Sequence, residues 1–308
     1  QSCGSCHVPE RAFSEPRTTS MGSTGMAHPR NSQSLTNVGY ASSLTWANPL
    51  LTSLEQQILI PIFGEDPVEL GVGRNADEVL ARITDDPVYQ PLLDRAFPDE
   101  TVSWDVVAKA LASFVRSLVS GNSRFDQYVY RGVSESLTDA ELRGMELFFS
   151  ERLECHHCHG GFNFSNSILH EDSKFEASPF HNTGLYNLGG DGSYPGPNTG
   201  LHGVTAKPED MGRFRTPTLR NIELTAPYMH DGSIETLEEV IAHYAAGGRT
   251  IEEGPNAGVG TENPYKSGFV SGFSLSPDEQ RDLVAFLKSL TDRSFVENPQ
   301  FQNPFSEE

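Results

Sequence analysis

Apolar residues in this chain gather into short helical stripes, separated by long polar stretches rich in Gly, Pro and Asn. The clearest stripe covers residues 103–120. There Val107, Leu111, Phe114, Val115 and Leu118 recur at the 3.6-residue period of one helix face. Thr138-Asp139-Ala140-Glu141 has the form of a capping box and predicts a helix running on towards residue 155. Ser276-Pro277-Asp278-Glu279 opens another, with Pro at the first helical position, and carries Leu283, Val284, Phe286, Leu287 and Leu290. Residues 160–216 and 247–274 show no sustained period and read as loops. No convincing run of alternation announces strands, so the expected fold is mainly α with little β.

The chain also repeats itself. Ser34-Leu35-Thr36-Asn37-Val38 matches Thr218-Leu219-Arg220-Asn221-Ile222, 184 residues on. Ser53-Leu54-Glu55-Gln56-Gln57-Ile58 matches Thr236-Leu237-Glu238-Glu239-Val240-Ile241, 183 residues on. Each pair of segments follows a C-x-x-C-H run, Cys3-Gly4-Ser5-Cys6-His7 in the first half and Cys155-His156-His157-Cys158-His159 in the second. That spacing is the attachment signature of c-type haem. Two thiols one turn apart can form thioethers to one porphyrin, and the adjacent His then serves as proximal iron ligand. The two runs use all four cysteines. A structural zinc site would have to exclude both histidines, and a disulfide framework would be sparse for this length. We therefore expect two covalent haems in two cytochrome c-like domains related by internal duplication, residues 1–125 and 126–308, with a boundary near residues 120–137.

Composition narrows the setting. At 308 residues the chain is long enough for two ordinary domains. No stretch approaches the ~18 apolar residues of a membrane span. A net charge of -20 argues against binding nucleic acid and permits attraction to a basic protein. Such acidity also serves solubility alone. Covalent haem attachment belongs to exported proteins, and Gln1 lies two residues before the first haem cysteine. A periplasmic location, downstream of a removed export signal or trimmed segment, is expected.

The repeat allows the two distal sides to be compared. Shifted back by 183, Tyr244 falls on Pro61 and His243 on Ile60. Phenolate can ligate ferric haem, whereas proline and isoleucine side chains cannot. Tyr244 would close the second haem, with His243 as a competing ligand, and the first would keep an open position for peroxide. Cleaving an O–O bond there calls for a proton-transfer group. Glu69 lies shortly after Pro61, and Gln57 one turn before it. Of the two tryptophans, Trp46 is placed to relay electrons between haems, while Trp104 reads as packing.

Together these residues resemble the bacterial di-haem cytochrome c peroxidase and MauG superfamily over almost the whole chain. The most specific segments are Thr216-Pro217-Thr218-Leu219-Arg220-Asn221, Thr225-Ala226-Pro227-Tyr228-Met229-His230-Asp231-Gly232 and Leu237-Glu238-Glu239. Peroxidases of the family usually carry Met fourteen residues after the His of that P-Y-x-H-D-G motif; here the position is Tyr244. Tyrosine is the MauG-type choice and favours high-valent iron over a high-potential electron-accepting haem. The segments Thr45-Trp46-Ala47-Asn48-Pro49-Leu50 and Pro61-Ile62-Phe63-Gly64-Glu65-Asp66-Pro67-Val68-Glu69-Leu70-Gly71 depart from the peroxidases, which read W-D-G-R with a shorter loop before the catalytic Glu. They look like the MbnH branch, associated with copper-related methanobactin operons. That resemblance implies peroxide-dependent oxidation of a tryptophan in an MbnP-like partner protein, giving kynurenine. By the same matching, Gln57, Pro61 and Glu69 take distal-pocket roles and Trp46 the inter-haem role. One Ca²⁺ would bind between the domains through the Asn31 side chain and the Thr225 and Pro227 carbonyls, with waters; hard oxygen ligation suits that ion.

Two rivals remain at this level. One is a conventional peroxidase drawing electrons from a small cytochrome or cupredoxin, which Tyr244 disfavours. The other is a di-haem electron carrier with His28, Met21 or Met26 closing the first haem; His28 would also serve as a resting-state ligand that leaves on activation.

Overall fold

The computed structural model describes residues 1–171 and 179–304. Helices dominate it: α1 (Leu54–Phe63), α2 (Ala76–Thr84), α3 (Gln90–Ala96), α4 (Trp104–Ser117), α5 (Arg124–Arg131), α6 (Asp139–Phe148), α7 (Cys155–Cys158), α8 (His202–Thr205), α9 (Leu237–Ala246), α10 (Pro277–Ser289) and α11 (Arg293–Val296). Strand is confined, among the described residues, to two short antiparallel pairs. β1 (Phe180–His181) joins β2 (Phe214–Arg215), and β3 (Thr250–Ile251) joins β4 (Gly258–Val259). Both strand pairs and α8 lie within residues 160–216 and 247–274, the stretches read as loops, which are otherwise irregular; residues 172–178 of the first lie outside the described residues.

The three expected helices form, with two differences. In α4 the fully buried positions are Val106, Ala108 and Ala112, while Phe114 is exposed. Ala112 packs with Leu44 and Leu54, so close approach rather than side-chain bulk selects that face. Phe114 lies instead along Phe13 and Phe301, ring centroids 6.2 and 6.3 Å away. The helix expected to run into the second haem motif stops at Phe148, and Glu154 at a left-handed φ of 59° starts α7 afresh. At α10 the capping box is complete: Ser276 and Glu279 each satisfy the other's backbone N–H. Helices α6 and α10 cross at Gly144, where a Cβ would sit 2.0 Å from the Asp282 carbonyl oxygen.

The two halves share local geometry. Helices α1 and α9 begin and end 183 residues apart, 54 to 237 and 63 to 246. Asn37 and Asn221 both adopt left-handed φ, 55° and 60°. Asn37 donates its N–H to the Leu118 carbonyl at the end of α4, and Asn221 to Leu290 at the end of α10. Their side-chain oxygens accept from Ser120 N–H and Asp292 N–H, both at 2.8 Å. The packing also crosses between halves. Phe295, Val296 and Phe301 lie against Ala12, Phe13 and Leu118. Phe125, near the start of α5, packs on Phe164 and Phe286.

A buried ion pair ties α5 to the loop after β2. Arg220 donates through both terminal nitrogens to Asp126, at 2.8 Å each, with both side chains nearly inaccessible. Burial raises the Asp126 pKa, but Arg220 and Ser123 outweigh it and the carboxyl sits below its ordinary value. Its stabilising contribution is present above the ordinary carboxyl range and is lost as pH falls through the depressed pKa. Asp126→Ala is expected to cost about 3–5 kcal/mol, because a buried guanidinium is left unpaired. An unfolding free energy from denaturant titration lowered by less than about 1 kcal/mol would show that the pair is dispensable.

Candidate active site

In the second half, α7 presents Cys155 and Cys158 one turn apart, with His159 following. All three line one open cavity of about 1340 Å³, walled chiefly by apolar side chains such as Phe148, Leu237, Ile241 and Leu287. The His159 Nδ1–H donates to the Phe164 carbonyl at 3.1 Å; a carbonyl can only accept, so Nε2 keeps its lone pair. Burial lowers the His159 pKa to about 4, which holds the ring neutral and ligand-ready. The same burial raises Cys155 to about 12 and Cys158 to about 11, so both stay thiols until they are alkylated.

Tyr244, from the last turn of α9, lines this cavity, and its pKa is raised by burial and then by Cys158 and Cys155. The competing His243 does not line it; burial and the nearby Arg249 lower that ring to about 4. Arg215, not singled out in the sequence, and His230, the histidine of the P-Y-x-H-D-G motif, complete the wall. Arg215 lines both this cavity and the one between the halves, and burial lowers its pKa to about 10. It forms no ion pair with a carboxylate among the described residues, although its Nε donates to the Thr45 carbonyl at 3.0 Å. A buried cation of this kind fits a cofactor carrying acidic propionates. His230 stacks on Phe214 at 3.6 Å, with Nε2 buried and unpartnered. The only sequence hint for Arg215 was its place directly before Thr216-Pro217.

The first half repeats the proximal arrangement. His7 Nδ1–H donates to the Phe13 carbonyl at 2.8 Å, and burial lowers its pKa. Phe13 and Phe164 share left-handed φ values, 62° and 49°, so the same chain reversal aims both carbonyls. Helix α1 carries Gln57, whose Oε1 is buried without a hydrogen-bond partner, and Pro61. The Pro61 carbonyl accepts from Leu70 N–H at 2.9 Å, which brings the Glu69 loop back onto α1. Glu69 lies close enough to Cys3 and Cys6 for its charge to raise both thiols. Its own pKa is raised by burial, against a lowering by His28, whose Nδ1 is 3.8 Å away. Met21 and Met26 are exposed, so neither is buried for ligation. These donor sets fit one thioether-bound haem in each half: Cys3, Cys6 and His7 would hold the first, and Cys155, Cys158, His159 and Tyr244 the second.

Trp46 is shared by two cavities. It lines both the haem-type cavity and a second one between the halves, and its Nε1–H donates to the Asn31 carbonyl at 2.8 Å. Trp104 instead packs edge-on against Phe63 at 5.0 Å. Asn31, Thr225 and Pro227 all line the inter-half cavity. The Asn31 amide protons go to the Arg17 and Thr18 carbonyls, at 3.1 and 3.3 Å, which leaves only its side-chain oxygen for a cation. Asn37 is committed to Ser120 and Asn163.

The fold and these two haem-ready sites define an oxidoreductase of the peroxidase type. Residues 1–134 match the family described as di-haem cytochrome c peroxidase. The chain is 33% identical to the methylamine utilization protein MauG of Methylorubrum extorquens, over 94% of this chain and 72% of the relative. It is 31% identical to the cytochrome-c peroxidase IdrP1 of Denitromonas iodatirespirans, over 94% of this chain and 76% of that protein. Among solved structures it is similar to a MauG-like protein associated with microbial copper homeostasis, with 48% identity and a TM-score of 0.95 over 99% of this chain and 87% of that one. The chain belongs to the di-haem cytochrome c peroxidase and MauG family. No described helix is long and apolar enough to cross a membrane.

Proposed function

We propose that this protein is a MauG- and MbnH-like enzyme. It uses hydrogen peroxide to oxidise a tryptophan of a partner protein, towards kynurenine, by long-range electron transfer. The observation that carries this reading is Tyr244 facing the second cavity where a peroxidase would usually carry Met. When bound, the haems supply the two-electron chemistry with peroxide. The chain does the rest. A Glu69 carboxylate oxygen takes the proton of the inner peroxide oxygen and returns it to the departing one. The unpartnered Gln57 Oε1 is available to hold that hydrogen-bond network in place. Asn31 fixes the Trp46 indole between the cavities.

The partner need not enter either site. The second cavity lies among buried side chains and admits no folded polypeptide, so electrons must leave the partner across the protein surface. The net charge of -20 suits a basic docking face on that partner. Covalent haem attachment supports a periplasmic location, and the copper association of the similar solved structure supports an MbnP-like, copper-related substrate. The second reading, a peroxidase drawing on a small cytochrome or cupredoxin, would be favoured by Met at 244.

Mass spectrometry of enzyme, partner and peroxide is expected to show oxygen addition on the partner and an intact Trp46. Trp46→Phe should slow that oxidation at least about tenfold, a barrier change of about 1.4 kcal/mol, without slowing peroxide binding. A full rate in that variant removes the relay; turnover of small reductants alone favours the peroxidase. A Ca²⁺ held by Asn31, Thr225 and Pro227 would lock the halves and Trp46 together. Chelation is expected to cut partner oxidation by about tenfold or more, with both haems still attached. Unchanged oxidation in metal-free enzyme contradicts this.

A further inference from the structure

His156 and His157, between the two second-half cysteines, have no part in the proposed chemistry, yet their side chains converge. His156 Nε2 lies 3.4 Å from one Glu151 oxygen, and His157 Nε2 lies 3.2 Å from the other. Glu154 adds an oxygen 2.8 Å from His157 Nε2. The ligand atoms of Glu151, His156 and His157 all fall within 4.8 Å of one another. We infer that Glu151, His156 and His157, with Glu154 beside His157, form a surface site for a divalent transition-metal ion, Cu²⁺ or Zn²⁺, on the attachment turn of the second haem.

Three features support a site rather than incidental ion pairing. The first is spacing. Ligands at about 2.0–2.1 Å around a tetrahedral ion lie about 3.3 Å apart; one donor atom each from Glu151, His156 and His157 already lies within 4.8 Å of the others, so small side-chain rotations close them onto one ion. The second is charge and donor type. Two carboxylates with two neutral imidazoles carry two negative charges, which one dication neutralises. The nitrogen donors select borderline transition ions over Ca²⁺ and Mg²⁺, with Cu²⁺ ahead of Zn²⁺. The third is preorganisation. The His157 ring stacks on Phe269 at 4.6 Å and 13°, and the two imidazoles lie 4.3 Å apart. Glu154, in a left-handed conformation uncommon outside glycine, directs the chain from Glu151 back into α7. A dication on this turn opposes removal of an electron from the haem that Cys155 and Cys158 would hold. Loading is therefore a brake on oxidation, a consequence that rests on the proposed function, whereas the site itself does not.

Titration of the holoenzyme with Zn²⁺ and with Cu²⁺ is the test. One ion per chain is expected, with nitrogen splitting in the Cu²⁺ paramagnetic resonance signal. Glu151→Gln, outside the haem motif, combined with His157→Asn should weaken binding at least about 100-fold, beyond what an outer-shell change costs. His202→Gln, elsewhere on the surface, should leave it unchanged. If the double variant loses haem, Glu151→Gln alone carries the test, with a loss of about tenfold or more. Equal binding by parent and variant, or Cu²⁺ without nitrogen splitting, overturns the site. A redox titration with Zn²⁺ should raise the second haem's midpoint; an unmoved midpoint in ion-loaded protein overturns the brake.

Discussion

Replacing Glu69 with Gln is expected to slow the reaction with peroxide by on the order of 10²-fold or more, the scale of lost general acid–base help. Both haems should remain attached, because Glu69 contributes to neither C-x-x-C-H run. The substitution keeps the shape of the side chain and removes only its ability to accept a proton. Burial raises the Glu69 pKa, and His28 only partly offsets that. The sign for catalysis follows. The group must be ionised to take the peroxide proton, so the rate falls as pH drops through the raised pKa. The acid limb of the pH–rate profile should therefore lie above the ordinary carboxyl value of 4.5 and should disappear in Glu69→Gln. Stopped-flow mixing reads both effects. A parent-like rate in the variant would remove Glu69 from the mechanism. A limb that persists would transfer the titration to another group.

Much of this site was legible before any coordinates, for reasons that differ by residue. The haem motifs are local: two thiols and an imidazole within five residues carry their geometry in their spacing. The α1 and α9 helices were legible because the repeat prints the same start twice, at Ser53 and Thr236. Tyr244 was legible by comparing halves and by its spacing from the His of the P-Y-x-H-D-G motif, since one helical tyrosine announces nothing by itself. What the sequence hid is what depends on contact between distant segments. Arg215 is a cation whose meaning lies in its burial between two cavities, and no residue near it in sequence signals that. The return of Phe295 and Phe301 onto Phe13 joins the end of the chain to its beginning, beyond the reach of any local period. The inner face of α4 was misjudged because alanines at 108 and 112 score weakly as core, yet both are fully buried and Ala112 packs directly with Leu54.

Substituting Tyr244 with Phe is expected to change the low-spin ferric signal while leaving the high-spin one in place, and to reduce partner oxidation below detection. Ferric parent enzyme should show both species, one for each half, because Pro61 stands where Tyr244 does and cannot ligate. The cavity itself favours a neutral phenol, since burial raises the Tyr244 pKa. Ionising it requires a compensating positive charge, and ferric iron held by His159 is the group suited to supply that. Phe keeps the packing and removes the oxygen, so a changed low-spin signal reports ligation rather than collapse of α9. Reaction of the first haem with peroxide should continue, because Gln57, Pro61 and Glu69 belong to the other half. That separation distinguishes loss of charge sharing from loss of peroxide chemistry. Two low-spin signals in the parent would close the first site and sink its peroxide role. An unaltered low-spin signal in Tyr244→Phe would assign the sixth ligand elsewhere. Partner oxidation at full rate in that variant would show that the tyrosine ligand is not what sets this enzyme apart from a peroxidase.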